Sequence, residues 1–125
     1  ADGWLGIWCS SERYADSIAI FDRAAEEADR HVQADHGIQL WVGVGKDRVE
    51  AASFVGPAME GFYRVPFDKF ARYTPHGTVD DIVDFLAPYL EAGCRHFNLT
   101  PVASTPEKGI EVIAEVGERL RRMTD

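Results

Sequence analysis

Two cysteines in 125 residues are too few to staple a small disulfide scaffold. Cys9 and Cys94 lack CxxC spacing and paired histidines, so no metal site is expected. Both read as reduced, buried thiols of a cytoplasmic protein. Basic side chains are scarce: 13 Lys and Arg stand against 21 Asp and Glu, a net charge of −8. Without a basic patch, neither nucleic acid nor an anionic membrane surface is an expected partner. Apolar runs stay far short of the roughly 18 residues a membrane span needs. No charged-then-apolar leader opens the chain, and there are no repeats or low-complexity tracts. The first residue is Ala1, not Met, and an apolar run begins almost at once. Some upstream portion is therefore expected to be missing. What is present is ordinary globular composition, 46% hydrophobic and 27% charged, which excludes disorder.

Gly3 to Cys9 (GWLGIWC) reads as a strand. Tyr14, Ile18, Phe21, Ala25, Ala28 and Val32 then recur near the 3.6-residue period of an amphipathic helix. Ser10 or Ser11 caps that helix, which ends before Gly37. Ile38 to Val44 (IQLWVGV) is a second strand. Residues 46–77 are long for a loop and rich in aromatics, so short helices are expected there. Thr78-Val-Asp-Asp81 has capping-box spacing, and a helix follows through Pro88 to Gly93. Arg95 to Pro101 is a third strand. Thr105-Pro106 opens a last helix, whose buried side is expected to hold Ile110, Ile113, Ala114 and Leu120.

Strand–helix alternation argues for right-handed βαβ units and a parallel α/β sheet. Three such strands leave two unpaired edges, and a whole (β/α)8 barrel takes about 250 residues. The chain therefore reads as about three βα units of a larger barrel, with a helical insert after the second strand, or as a piece that pairs with another chain.

In a parallel barrel, alternate residues face the helices or the interior. Leu5, Ile7 and Cys9 suit the helix side, as do Ile38, Leu40, Val42, Val44, Phe97 and Leu99. Trp4, Gly6, Trp8, Gln39, Trp41, Gly43, His96, Asn98 and Thr100 are left for the interior. Trp rings and glycine gaps beside polar groups suit a flat aromatic ligand, or they fill space and satisfy one another. Chemistry in such barrels sits at the carboxyl ends of strands: Trp8–Ser11, Gly43–Lys46 and Thr100–Ser104. Gly77 and Thr78, or the turn at Ser104 and Thr105, offer helix-start N–H groups to an anion, or are ordinary caps. His76 lies at that face, as a proton-transfer group or a turn residue. His96 is expected as a hydrogen-bonded interior histidine, and His31 and His36 as solvated. Gly43-Val-Gly45 lacks a full dinucleotide fingerprint, and Ser10 and Ser11 have no placed triad partner.

Three segments carry a family resemblance. Ala1-Asp-Gly-Trp4 resembles the ADGW segment of bacterial luciferase-like flavin monooxygenases and their deazaflavin (F420)-dependent relatives. Tyr73-Thr-Pro-His-Gly-Thr78 with Asp80-Asp81-Ile82 resembles their GTPEEV helix start. Glu91-Ala-Gly-Cys-Arg-His-Phe-Asn-Leu99 resembles their EAGVDHFVL strand. One departure is Val79-Asp80 in place of the family's Pro-Glu, which loses the proline and keeps an acid in the first turn. The resemblance implies that 1–125 form strands 6–8 of a (β/α)8 barrel, with 46–77 as the insert after strand 7 and about five strands absent. It implies an oxidoreductase or monooxygenase that holds reduced FMN or F420 against a small organic substrate. Family members share no acid–base signature, because the cofactor carries the redox chemistry, so no catalytic residue is assigned. The cofactor- or pocket-lining candidates are Trp8, Ser10, Trp41, Gly43, His76, Asn98 and Thr100. The competing reading is a non-catalytic α/β module that self-associates through its open strand edges, as a homo-oligomer. A sugar- or phosphate-metabolising barrel piece has only generic βα architecture behind it.

Overall fold

The computed structural model describes residues 5–30 and 36–124. Strand β1 (Leu5–Ile7) leads to helix α1 (Ser11–Glu27), whose cap is the Ser10 hydroxyl accepting from the Arg13 N–H at 3.2 Å. Strand β2 (His36–Val44) is followed by α2 (Arg48–Tyr63), then by single 3-10 turns at Phe67–Lys69 and Ala71–Tyr73. Strand β3 (His76–Gly77) runs into α3 (Val79–Glu91), then β4 (Cys94–Val102) and α4 (Pro106–Thr124).

All pairings are parallel and β2 is the hub. Gly37–Gln39 pair with both β1 and β4, so these occupy opposite edges of β2. Gly43 pairs with both His76 and Val102, which puts β3 on the β1 side, farther along. The result is an open sheet three positions wide. Helices α1, α3 and α4 pack on one face. Ile38, Leu40, Val42 and Val44 from β2 meet Tyr14, Ile18, Ile82, Leu86, Leu90, Val116 and Leu120 there. Full burial of such aliphatic side chains stabilises by about 1.5–3 kcal/mol each.

Two tyrosine hydroxyls tie this layer to distant backbone. Tyr14 donates to the Gly37 carbonyl at 3.1 Å, and Tyr89 to the Cys9 carbonyl at 2.5 Å. Burial pushes both phenols, and the Cys9 and Cys94 thiols, above their ordinary ranges. The capping box forms as the spacing predicts. Thr78 N–H donates to Asp81 Oδ2 at 2.9 Å, and Asp81 N–H to Thr78 Oγ1 at 3.4 Å.

The structure corrects several expectations. Residues 46–77 hold a 16-residue helix, not only short ones, and a strand pair at His76–Gly77. Leu5 and Ile7 pair with Gly37 and Gln39, so they share the interior face and are half exposed, while Gly6 is buried on the helix side. The alternation is reset at Trp8, whose φ of 49° turns the chain so that Trp8 reaches the interior face and Cys9 the helix-side core. On α4, Gly109, Val116 and Leu120 are buried, whereas Ile110 and Ala114 are exposed. His36 is buried against Phe21, with ring centroids 4.8 Å apart, and is not solvated. A bulge at Arg95 makes the register jump from His36↔Cys94 to Gly37↔His96, which sets His96 on the interior face with Asn98 and Thr100, as alternation predicts, but exposed rather than buried. Trp4, His31 and Val32, together with the ADGW segment, lie outside the described residues.

Candidate functional site

The strands' carboxyl ends converge where α2 folds back over the interior face. Gly43 explains how it comes so close. A Cβ there would stand 2.7 Å from Val55 Cγ1 and 2.9 Å from both the Ala51 carbonyl oxygen and His76 Cβ. Gly43 thus lies under α2 and is not an open gap. Its N–H donates to the Pro75 carbonyl at 2.9 Å. Asp47 caps α2 by accepting from the Glu50 N–H at 2.8 Å. Val55 and Met59 of α2, with Phe70, form a second core against Trp8, Trp41, Tyr63, Phe67 and Val102.

This second core is an aromatic wall. The Trp8 ring lies 4.9 Å from both Tyr63 and Phe70. Trp41 Nε1–H donates to the Tyr63 hydroxyl at 3.0 Å, and Phe62 lies 5.6 Å from the Trp41 ring. Such edge-on and tilted pairs are worth about 0.5–1.5 kcal/mol beyond their burial. Thr100 pairs with Trp41 and Asn98 with Gln39, so their side chains stand on the same face, exposed, below the wall. Trp8, Trp41, Asn98 and Thr100 therefore share one surface.

The other two candidates are elsewhere. Ser10 spends its hydroxyl on the cap of α1. His76 is half-buried, with Nδ1 2.7 Å from the Thr74 carbonyl oxygen. A carbonyl only accepts, so Nδ1 carries the proton and Nε2 remains a lone-pair site in the neutral ring. His76 borders a cleft of about 390 Å³ with Arg48, Arg72, Asp81, Asp84 and Phe85. A further cleft of about 280 Å³ lies between the starts of α3 and α4, lined by Lys46, Gly77, Thr78, Ser104 and Lys108. There the Thr78 N–H is already given to Asp81, and the Lys108 N–H to Thr105 Oγ1 at 3.2 Å.

Tyr63, Phe62 and Phe70 were not singled out as site residues from the sequence. Their only signal was the aromatic content of 46–77. Among the described residues no helix is long and apolar enough to cross a membrane.

No protein-family model matches the sequence, and no curated protein does. Solved structures do. One is an F420-dependent secondary alcohol dehydrogenase in complex with an F420–acetone adduct, a luciferase-like barrel. The match has a TM-score of 0.75 at 19% identity, over 93% of this chain and 42% of that one. The chain spans less than half the length of that enzyme. The likeness shows the fold alone: an open sheet of parallel βα units that matches part of that enzyme.

Proposed function

We propose that the chain is the strand 6–8 portion of a luciferase-like oxidoreductase that uses F420, with β1, β2 and β4 as those strands. The observation that carries this reading is the fold shared with an F420-dependent dehydrogenase, with an aromatic wall at the carboxyl ends of the strands. F420 is preferred to FMN because the similar structure is an F420 enzyme. When bound, a deazaflavin supplies hydride transfer.

The residues present suit a flat heteroaromatic ring. Trp8 and Trp41 offer broad apolar surface that is already held in place by Tyr63 and Phe70. Asn98 and Thr100, exposed on the same face, offer an amide and a hydroxyl to polar ring edges. Val55 and Met59 of helix α2 pack against the wall. His76 lies outside the wall, beside Arg48 and Arg72.

The test is a titration with F420 followed by tryptophan fluorescence. Saturable quenching by F420 that is lost in Trp41→Ala supports the reading. Quenching by FMN alone would move the proposal to a flavin, and none by either would end it. A second reading, a non-catalytic self-associating module, is favoured by Leu5 and Ile7, which are 55% and 49% exposed on the open face. In that case the chain forms a discrete homo-oligomer and no cofactor quenches it.

A further inference from the structure

Charged side chains of both signs line one cleft without neutralising each other. It is the cleft of about 390 Å³ beside His76, outside the aromatic wall. Arg48 from the first turn of α2 and Arg72 from the second 3-10 turn bring guanidiniums to its lining. Asp81 and Asp84 from α3 bring carboxylates. Among the described residues, no ion pair joins any of these four side chains to another residue.

Their placement is not explained by the elements that carry them. Arg48 is the first residue of α2, behind the Asp47 cap, where a cation opposes the helix dipole. Asp81 and Asp84 stand three residues apart on one face of α3, a spacing at which like charges repel. Each group is nevertheless held in place. The Arg72 guanidinium lies over the Tyr73 ring, 4.6 Å from its centroid. Asp81 Oδ2 accepts from the Thr78 N–H at 2.9 Å and from the Thr78 hydroxyl at 3.1 Å.

We propose that this cleft binds an α-amino acid as its zwitterion, with the carboxylate on Arg48 and Arg72 and the ammonium on Asp84. A simple anion meets the repulsion of Asp81 and Asp84, and a simple cation that of Arg48 and Arg72. A small molecule carrying both charges answers both sets, and guanidiniums suit a carboxylate in particular. A carboxylate beside Arg48 also gains from the start of α2, and an ammonium relieves the acidic face of α3. Ala71, Pro75 and Phe85 complete the lining and suit an aliphatic side chain. The volume falls in the range of about 300–1,000 Å³ usual for small-molecule sites. Neither Trp8 nor Trp41 lines this cleft, so the inference is independent of the cofactor reading.

The test is a calorimetric titration of the chain, without F420, with L-leucine, 4-methylpentanoate and 3-methylbutylamine. The last two keep the branched chain of leucine and lack the ammonium and the carboxylate respectively. Leucine should bind, and should move the NMR signals of the His76 ring at the edge of the cleft. Each analogue should bind at least about tenfold more weakly, the loss of one hydrogen-bonded charge. Arg48 and Asp84 are exposed, so their substitution leaves the packing intact. Asp84→Asn should weaken leucine by about tenfold without weakening 4-methylpentanoate. Arg48→Gln should weaken leucine without weakening 3-methylbutylamine. No binding of leucine at millimolar concentration, an analogue that binds as well as leucine, or leucine binding that leaves the His76 signals unmoved would each overturn the proposal. So would leucine binding indifferent to both substitutions. An F420 titration of the same samples tests the cofactor reading separately, and its failure leaves the amino-acid site standing.

Discussion

Replacing Tyr89 by Phe isolates one hydrogen bond in the helix-side core. The Tyr89 ring is buried on α3, edge-on to Tyr14 at 5.6 Å and stacked on Phe85 at 5.8 Å. Phenylalanine keeps those contacts. What disappears is the hydroxyl that donates to the Cys9 carbonyl, 80 residues earlier in the chain. That bond ties α3 to the β1–α1 turn. A buried acceptor left without its donor costs about 1–3 kcal/mol. The near-isosteric ring keeps the loss at the lower end, about 1–2 kcal/mol, or roughly 4–8 °C in Tm.

The same substitution has a pH signature of defined sign. Burial raises the Tyr89 and Tyr14 phenols, so each ionises first in the unfolded chain. Their contribution is fully present below about pH 10 and is lost as pH rises above it, at about 1.4 kcal/mol per pH unit per group. Cys9 and Cys94, also raised by burial, begin the decline near pH 8.5. Tyr89→Phe removes one titrating group. The variant should be weaker at pH 7, decline in parallel with the unmodified chain to about pH 10, then fall less steeply. The two stabilities should therefore meet near pH 11. Urea unfolding followed by tryptophan fluorescence across this range measures both effects. Equal stability at pH 7 together with equal slopes above pH 10 would refute the assignment of this hydrogen bond.

Gly43→Ala should destabilise by about 1–3 kcal/mol in denaturant unfolding, since its methyl meets Val55, the Ala51 carbonyl and His76 at once; a neutral result would mean that α2 does not lie against β2. Asp81→Ala removes the reciprocal half of the capping box and should lower Tm by an amount equivalent to about 1 kcal/mol, with Asp81→Glu recovering part of it. Trp41→Phe leaves the Tyr63 hydroxyl without its indole donor, besides removing part of the indole packing; a double-mutant cycle with Tyr63→Phe should give a coupling of about 0.5–1.5 kcal/mol for the hydrogen bond.

The order of elements was legible because each boundary has a local chemical cause. Ser10, Thr78 and Thr105 start helices with hydroxyls that accept backbone N–H groups, and Pro106 fits a first turn. Helix α2 was hidden by its composition. Gly56, Pro57 and Gly61 lower helix propensity, and apolar residues stand on several of its faces because it packs on the sheet and on the 3-10 turns together. The two-residue β3 has no pattern to read; it exists because Gly43 and Gly45 N–H groups find the Pro75 and Gly77 carbonyls. The face of β1 was misread for a different reason. Simple alternation from Cys9 backwards places Leu5 and Ile7 on the helix side, but a left-handed Trp8 breaks the alternation between strand and helix.

That break also decides what the site is made of. With Trp8 extended, its ring would continue the alternation of Gly6 toward the helix layer. The positive φ instead brings the ring into contact with Tyr63 and Phe70, so the wall joins the end of β1 to α2. Trp41 reaches the same wall from β2 through Tyr63, and Val102 from β4. Two strand ends are thus joined to α2 by the aromatic rings of Trp8 and Trp41 and a third by Val102, while Asn98 and Thr100 remain exposed beside them. A sequence pattern supplies the residue types on each strand. It does not supply the one dihedral that gathers them. Gly43, which alternation alone offers as a gap for a ligand, is instead the contact that lets α2 approach closely enough to build the wall.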